Sequence, residues 1–342
     1  MRAGVFDIRA EWQLNIFCNF NCSYCYFTQK ERSDPSLIGH HDIDALVRAF
    51  DQTGRVWQIE MSGGEPFLHP RFVELCQKLT QRHTLDITTN LSTDNVETFC
   101  KEVDPRRVAS VHASLHILER ERLHLKDDFI KKCHLLKEHG FQVHASQVMF
   151  PLILSRFAGI FDEFAKHGIV VRPKMFKGDY RGRSYPGGYT EDEKNVILSF
   201  DKRADETENP EWLLIKVRHK QSHRFVNFQC NKETLSGYLS FRGIPCAAGK
   251  EFVVIRFNGD VLRCDDDPLY LGNLFKGHLS YLKGTEACGG RICSCPHYGL
   301  ALASGKPSVI AAARLRHGVF FGKIRAILRN AKKFKFFPPW RY

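Results

Sequence analysis

Between Trp12 and Phe176, six short β-branched or apolar runs alternate with amphipathic stretches of helical period. The runs predict strands over 12–17, 56–62, 85–90, 108–116, 142–150 and 169–176. The stretches between them predict helices near 41–51, 70–80, 93–101, 127–139 and 156–167, several opened by Asp, Thr or Pro and one closed at Gly140. Strand then helix, carried to a sixth strand, implies a parallel sheet with right-handed crossovers. Eight such units need about 250 residues, and the roughly 165 here suit six. The expected fold class is therefore α/β, a partial (β/α)6 TIM-like barrel. In such a barrel the active groups lie at the carboxyl ends of the strands.

Directly after the first run stands Cys18-Asn19-Phe20-Asn21-Cys22-Ser23-Tyr24-Cys25. Three thiols this close wrap one metal centre more readily than they pair as disulfides. Structural zinc wants four protein ligands, and no histidine or fourth cysteine follows nearby. Three thiolates suit a 4Fe-4S cluster with one iron left open. The second run ends in Met61-Ser62-Gly63-Gly64-Glu65-Pro66. Its glycines admit close backbone approach, and Glu65 offers a carboxylate to a cationic group.

Together the two motifs resemble the radical S-adenosylmethionine (radical SAM) superfamily, with Tyr24 as the aromatic of its C-x3-C-x-aromatic-C loop. The resemblance implies that Cys18, Cys22 and Cys25 hold the cluster and that its open iron takes the amino and carboxylate groups of SAM. It also implies that Gly63 and Gly64 present backbone to the amino group, with Glu65 beside it, and that one-electron reduction yields a 5′-deoxyadenosyl radical. Strand ends nominate Asn90 on the third strand. In resembling enzymes a residue of the fourth strand bonds the ribose, which points to Ser114, and one of the fifth assists, which points to Gln147. For all three the competing reading is a polar side chain satisfied by backbone or water. Relatives commonly have Asp where His116 stands, which leaves this histidine as either a proton relay or a wall residue.

Cys246 to Cys264 reads as a β-hairpin turning at Asn258-Gly259, which brings two distant thiols together. Cys288, Cys293 and Cys295 follow. The hairpin cysteines, the Gly259-x4-Cys264 ending and Gly272-Asn273 resemble the SPASM/twitch extension of the same superfamily, and five cysteines match its one-cluster form. That implies an auxiliary 4Fe-4S cluster on Cys246, Cys264, Cys293 and Cys295, with Cys288 in reserve. Cys76, Cys100 and Cys133 on predicted helices, and Cys230 near a hairpin around 213–228, read as ordinary buried thiols. The expected division is 11–176 for the barrel, 177–245 for a linker or lid, 246–300 for a small hairpin and helix iron-sulfur domain, and 309–342 for a basic tail.

The stretch Gly178 to Tyr189 is rich in Gly, Tyr and Arg and reads as a substrate lid or a solvated linker. Thr190-Glu191-Asp192-Glu193 after it reads as a capping box. The net charge of +12 belongs to the end of the chain: eleven Lys and Arg follow Glu286 with no acid among them, and without them the chain is within one charge of neutral. There Phe320, Phe321, Ile324, Ile327 and Leu328 recur at helical spacing beside Lys323, Arg325 and Arg329. This basic amphipathic tail suits an anionic membrane surface, or a helix docked on the barrel with its charges in water. Twelve cysteines with no signal peptide and no long apolar run point to the cytoplasm, the tail leaving open a peripheral place at the inner face of the membrane.

The resemblance implies reductive cleavage of SAM and abstraction of a substrate hydrogen, the auxiliary cluster assisting oxidation or binding the substrate, with a flavodoxin- or ferredoxin-type protein as electron donor. Few residues precede the first strand, where peptide-modifying relatives frequently carry a recognition domain. A small-molecule, sugar or lipid-linked substrate is therefore favoured, with maturation of a ribosomal peptide as the alternative. The competing class is a zinc-stabilised nucleic-acid-binding module, which accounts for neither the βα alternation nor the Gly-Gly-Glu segment.

Overall fold

The computed structural model describes residues 5–39, 42–207 and 245–290, together with 214–215, 218–219, 226–227, 235 and 242–243. Six parallel strands follow one another across the sheet in chain order: β1 (Ile8–Asn15), β2 (Trp57–Gly63), β3 (Thr84–Thr89), β4 (Val108–Ser114), β5 (Val143–Met149) and β6 (Val171–Met175). The crossovers are α1 (Ile43–Asp51), α2 (Phe72–Thr80), α3 (Asn95–Glu102), the short α4 (Ile117–Leu123) leading into α5 (Lys126–Glu138), and α6 (Phe157–Ala165). α7 (Glu191–Thr207) follows β6.

Strict alternation along the strands decides which face meets the helices. Ile8, Ala10, Trp12 and Leu14 of β1, Trp57, Ile59 and Met61 of β2, and Leu85 and Ile87 of β3 join the apolar faces of α1 to α3 in one core. Phe50, Phe72 and Phe99 are among the largest wholly buried side chains of that layer. Cys76, Cys100 and Cys133 lie buried on α2, α3 and α5, as expected of packing thiols.

The intervening strand positions are polar. Arg9, Glu11 and Gln13 stand beside Gln58, Glu60 and Ser62, and farther round come Asp86, Ser110, His112, His144, Arg172 and Lys174. Lys174 on β6 acts electrostatically on Glu11 of β1 and Glu60 of β2. Strands at opposite ends of the six feel one charge only if the sheet curves with this face inward, which is the barrel geometry.

The predicted hairpin is present as β7 (Phe252–Ile255) and β8 (Asp260–Leu262), followed by β9 (Tyr270–Asn273) and the pair His278–Leu279. Gly259 closes the turn at φ +85, where a Cβ would meet Phe275. This unit does not form a sheet of its own. β7 pairs parallel with β1, from Phe252 opposite Arg9 to Ile255 opposite Trp12, so the sheet runs on past the barrel to ten strands. The capping box expected at Thr190 is present, with Thr190 and Glu193 exchanging hydrogen bonds of 2.7 and 3.2 Å. Gly178–Tyr180 and Arg183–Tyr185 form a small hairpin, and the Tyr189 hydroxyl donates to Met149 O and accepts from Phe176 N–H, fixing that loop to the ends of β5 and β6. Leu214–Ile215 pairs antiparallel with Val226–Asn227, matching the hairpin expected there. The tail from 309 to 342, with Cys230, Cys293 and Cys295, lies outside the described residues.

Candidate active site

The thiol loop leaves β1 at the carboxyl end of the barrel, and buried polar groups hold its shape. Arg32, 6 % exposed, donates to the carbonyls of Cys22 at 3.0 Å and Phe27 at 3.3 Å and to the Asn21 side chain. Glu119 of α4 accepts the Asn21 N–H at 2.8 Å. The Cys18 sulfur receives the Phe20 N–H at 3.4 Å and the Asn90 amide at 3.8 Å. Burial, then Glu65 for Cys18 and the neighbouring Cys18 thiol for Cys22, pushes both thiols up to about 12. They are protonated in this state, and a metal is what would displace the protons. Among the described residues no three His, Cys, Asp or Glu side chains close tightly enough on a point for a single metal ion. Three thiols sharing one loop, with N–H donors aimed at Cys18, suit an iron-sulfur cluster whose sulfurs take such hydrogen bonds.

Gly63 and Gly64 are dictated by close approach of backbone. A Cβ on Gly63, whose φ is +129, would lie 2.0 Å from Asn15 O, and one on Gly64 2.1 Å from Phe17 O. Gly64 N–H donates to Asn15 O at 3.0 Å and Glu65 N–H to Phe17 O at 2.9 Å, so this segment is laced to the residues just before Cys18. Glu65 itself points inward. It is wholly buried, and its carboxylate accepts from Thr89 Oγ1 at 2.6 Å, Asn90 N–H at 2.6 Å and Phe67 N–H at 3.1 Å. The expected carboxylate beside a ligand cation is instead committed to the ends of β2 and β3.

Asn90 joins these parts. Its amide reaches Asn19 Oδ1 at 3.1 Å as well as Cys18, and its carbonyl accepts from Arg120. Arg120, fully buried, also donates to Leu115 O at 2.7 Å. Gln147 is fully buried too, its Oε1 accepting the Ile117 N–H at 2.9 Å and its Nε2 donating to Val148 O at 2.8 Å. It supports the start of α4 from beneath. Ser114 is half-buried on the inner face of β4, opposite Ser146. Tyr24 lies against Gln147 and the Cys22 thiol, and its hydroxyl meets His116 Nδ1 at 2.9 Å.

Below the loop the inner face of the barrel carries a buried ionic cluster, where Arg9 pairs with Glu60 at 3.0 Å and Asp86 at 3.5 Å. Beside that cluster Glu11 is raised to about 8, by burial first and then by Asp265 and Glu60, while Lys174 and Arg256 pull it down. Arg256 and Asp265 are an ion pair at 2.8 Å. The second thiol group stands beside them, with Cys246 and Cys264 buried and Cys288 half-buried and sensing the Cys246 thiol.

Residues 12–158 match the sequence profile of the Radical SAM superfamily. That segment, 147 of the 342 residues, is what the chain shares with the radical SAM superfamily. A serine-type anaerobic sulfatase-maturating enzyme of Bacteroides thetaiotaomicron is 25% identical over 308 residues, 79% of this chain and 72% of that one. A probable GTP 3′,8-cyclase of Thermoplasma volcanium is 26% identical, the match spanning 32% of this chain and only 33% of the cyclase. Streptococcus suis SuiB, solved with S-adenosylmethionine bound, superposes over 79% of this chain and 64% of its own with a TM-score of 0.54 at 16% identity, a likeness of fold. The chain spans only about a quarter to a third of the length of the first curated relatives it matches. Among the described residues no helix is long and apolar enough to cross a membrane.

Within this site, sequence reasoning missed Arg32, Glu119 and Arg120. Glu119 and Arg120 sit on α4, a helix without a capping residue: its N-cap is His116 in a left-handed conformation. Arg32 carries no local signal, since its partners are carbonyls.

Proposed function

We propose that SAM binds at the mouth of this barrel between the Cys18–Cys25 loop and the Gly63–Glu65 segment, and that the enzyme oxidises a polar side chain of a peptide or protein. The observation that carries this reading is the lacing of Gly64 and Glu65 to Asn15 and Phe17, which sets a ligand-sized edge of backbone beside three thiols. When bound, the cluster and SAM supply the one-electron chemistry that removes a hydrogen atom from a substrate C–H. Cys18, Cys22 and Cys25 hold the cluster, with the Phe20 N–H and Asn90 amide steadying the Cys18 sulfur. The Gly64 and Glu65 N–H groups being committed, this segment meets the ammonium of SAM with carbonyl oxygens. Glu65 and Gln147 act as positioning residues, Tyr24 backs the loop, and Ser114 offers its hydroxyl to the ribose. Glu11, on the inner face of β1, accepts the proton that an alcohol sheds as it becomes a carbonyl, or a thiol as it becomes a thiocarbonyl. Cys246, Cys264, Cys288 and one of Cys293 and Cys295 would hold a second, SPASM/twitch-type iron-sulfur centre, which would supply an acceptor for the remaining electron.

The wide match to a sulfatase-maturating enzyme supports a peptide substrate over a free small molecule. The tail that would add weight to a lipid-linked substrate lies outside the described residues. Anaerobically purified protein should carry about eight irons per chain, two clusters of four. Given a reductant and SAM it should release 5′-deoxyadenosine, faster with serine- or cysteine-containing peptides, which lose a pair of hydrogen atoms. Replacing Cys18, Cys22 and Cys25 together should remove one cluster and all SAM cleavage; cleavage that survives would refute the site. Stimulation by free polyols and not by peptides would return the substrate to the small-molecule class.

A further inference from the structure

The second thiol group is spread over three chain segments that have little core of their own, and one side chain holds all three. Arg263 is 4 % exposed. Its Nε donates to Ala248 O at 3.1 Å, two residues after Cys246. Its Nη2 donates to Glu286 O at 2.7 Å and its Nη1 to Ala287 O at 3.2 Å, the residue before Cys288. Nη1 also pairs with Asp267, whose carboxylate accepts the Gly289 N–H at 3.1 Å. Arg263 itself precedes Cys264, whose sulfur lies 3.8 Å from Asp267 O. The two-residue pairing of Pro245–Cys246 with Glu286–Ala287 is thus gripped from one side by a guanidinium. Both Arg263 and Asp267 are felt electrostatically by the Cys288 thiol.

We infer that Arg263, locked by Asp267, is the positioning residue that assembles Cys246, Cys264 and Cys288 into a cluster site and supplies its countercharge. The inference rests on the proposed auxiliary cluster. A planar fork spreads five fixed N–H donors over three nitrogens and so spans three separated carbonyls, whereas an ammonium offers its three donors from a single atom. The positive charge is placed where thiolates ligating iron concentrate negative charge, and it is needed there because buried charge of one sign is costly. The network is made by protein atoms alone.

The test compares R263Q, R263K and D267N with the wild type and with a C246A/C264A double variant, all in the full chain, by iron content, electron paramagnetic resonance and redox titration. R263Q should lose about half of the iron, as C246A/C264A does, while the first cluster and reductive SAM cleavage persist. R263K and D267N should keep more of the second cluster than R263Q. Any second cluster that R263Q retains should have a lower midpoint potential, because a positive charge beside it is gone. Wild-type iron and an unchanged auxiliary signal in R263Q, with C246A/C264A depleted, would overturn the role of Arg263 and leave the cluster reading standing. No iron lost by C246A/C264A would sink the auxiliary cluster itself. Should R263Q not fold, R263K and D267N decide: wild-type potentials and iron in both would overturn the inference.

Discussion

The hydroxyl of Tyr24, inside the thiol loop, and Nδ1 of His116, at the carboxyl end of β4, meet at 2.9 Å. His116 takes a left-handed backbone, φ +47, as the N-cap of α4, and burial followed by the charge of Arg120 pushes its ring down to about 3. Burial favours the neutral imidazole, and the direction of its hydrogen bond with the phenol follows the ring's tautomer. The pair ties the loop to the carboxyl end of β4.

Tyr24→Phe should accordingly cost about 1 kcal/mol of stability, since a buried ring nitrogen loses its hydrogen-bond partner while the aromatic packing remains. His116→Ala should cost more, through lost ring contacts with Phe20 and Tyr24. In a double-mutant cycle read by urea denaturation the two should be non-additive by about 1 kcal/mol. Strict additivity would show that the hydrogen bond is not formed in solution.

Glu65→Gln should destabilise the metal-free protein before any question of SAM arises. The carboxylate accepts three hydrogen bonds, from a hydroxyl and two backbone N–H groups, and an amide must turn an NH2 toward one of these donors. Leaving a buried donor unsatisfied costs about 1–3 kcal/mol. Thermal melts of the iron-free variant are the measurement. An unchanged melt combined with weakened SAM binding would put the carboxylate back on the ligand.

The six strands were legible because their apolar positions alternate with polar ones and each is followed by a helix of matching period. The start of β1 was not: strand 12–17 was expected, yet pairing runs from Ile8 to Asn15. Arg9 and Glu11 look like loop residues until their partners Glu60 and Asp86 are known, and Ile16 and Phe17 prolong the apolar run after the chain has turned into the thiol loop. Helix α4 was invisible for a related reason, being charged and lacking a cap side chain. The thiols and glycines of the site were legible because their chemistry is local in sequence. The inward turn of Glu65 and the grip of Arg32 and Arg263 were not, since each depends on backbone groups brought near only by folding. Pairing of β7 with β1 joins residues from opposite ends of the described chain, and no spacing encodes it.

Turnover should depend on Glu11 in its ionised form. A base accepts protons only when deprotonated, so substrate oxidation should rise with pH through about 8, the value to which burial and Asp265 raise this carboxyl. Glu11→Gln should abolish that rise and most product formation while 5′-deoxyadenosine release continues. A variant that keeps the wild-type pH profile would remove Glu11 from the mechanism.

Three histidines set how the fold responds to acid. His83 is wholly buried behind α1, and His112 and His144 stack on the barrel's inner face with ring centroids 5.5 Å apart. Burial, the first cause in each case, lowers His83 and His112 to about 4 and His144 to about 3. Their folded values lie below the unfolded value of about 6.5. Above that value both states hold neutral rings and the histidines leave stability unchanged by pH. Below it the unfolded chain takes up protons that the folded chain refuses, so stability falls from about pH 6.5 down toward the folded values, each group adding at most about 1.4 kcal/mol per pH unit. In a Glu11→Gln background, which removes the carboxyl raised to about 8, urea midpoints should change little from about pH 8 to 7 and drop between about 6 and 5, with His116, lowered to about 3, adding to the drop. His83→Gln should lessen that drop, because Gln carries no titrating group. A profile equally steep in the variant would assign the acid sensitivity to other groups.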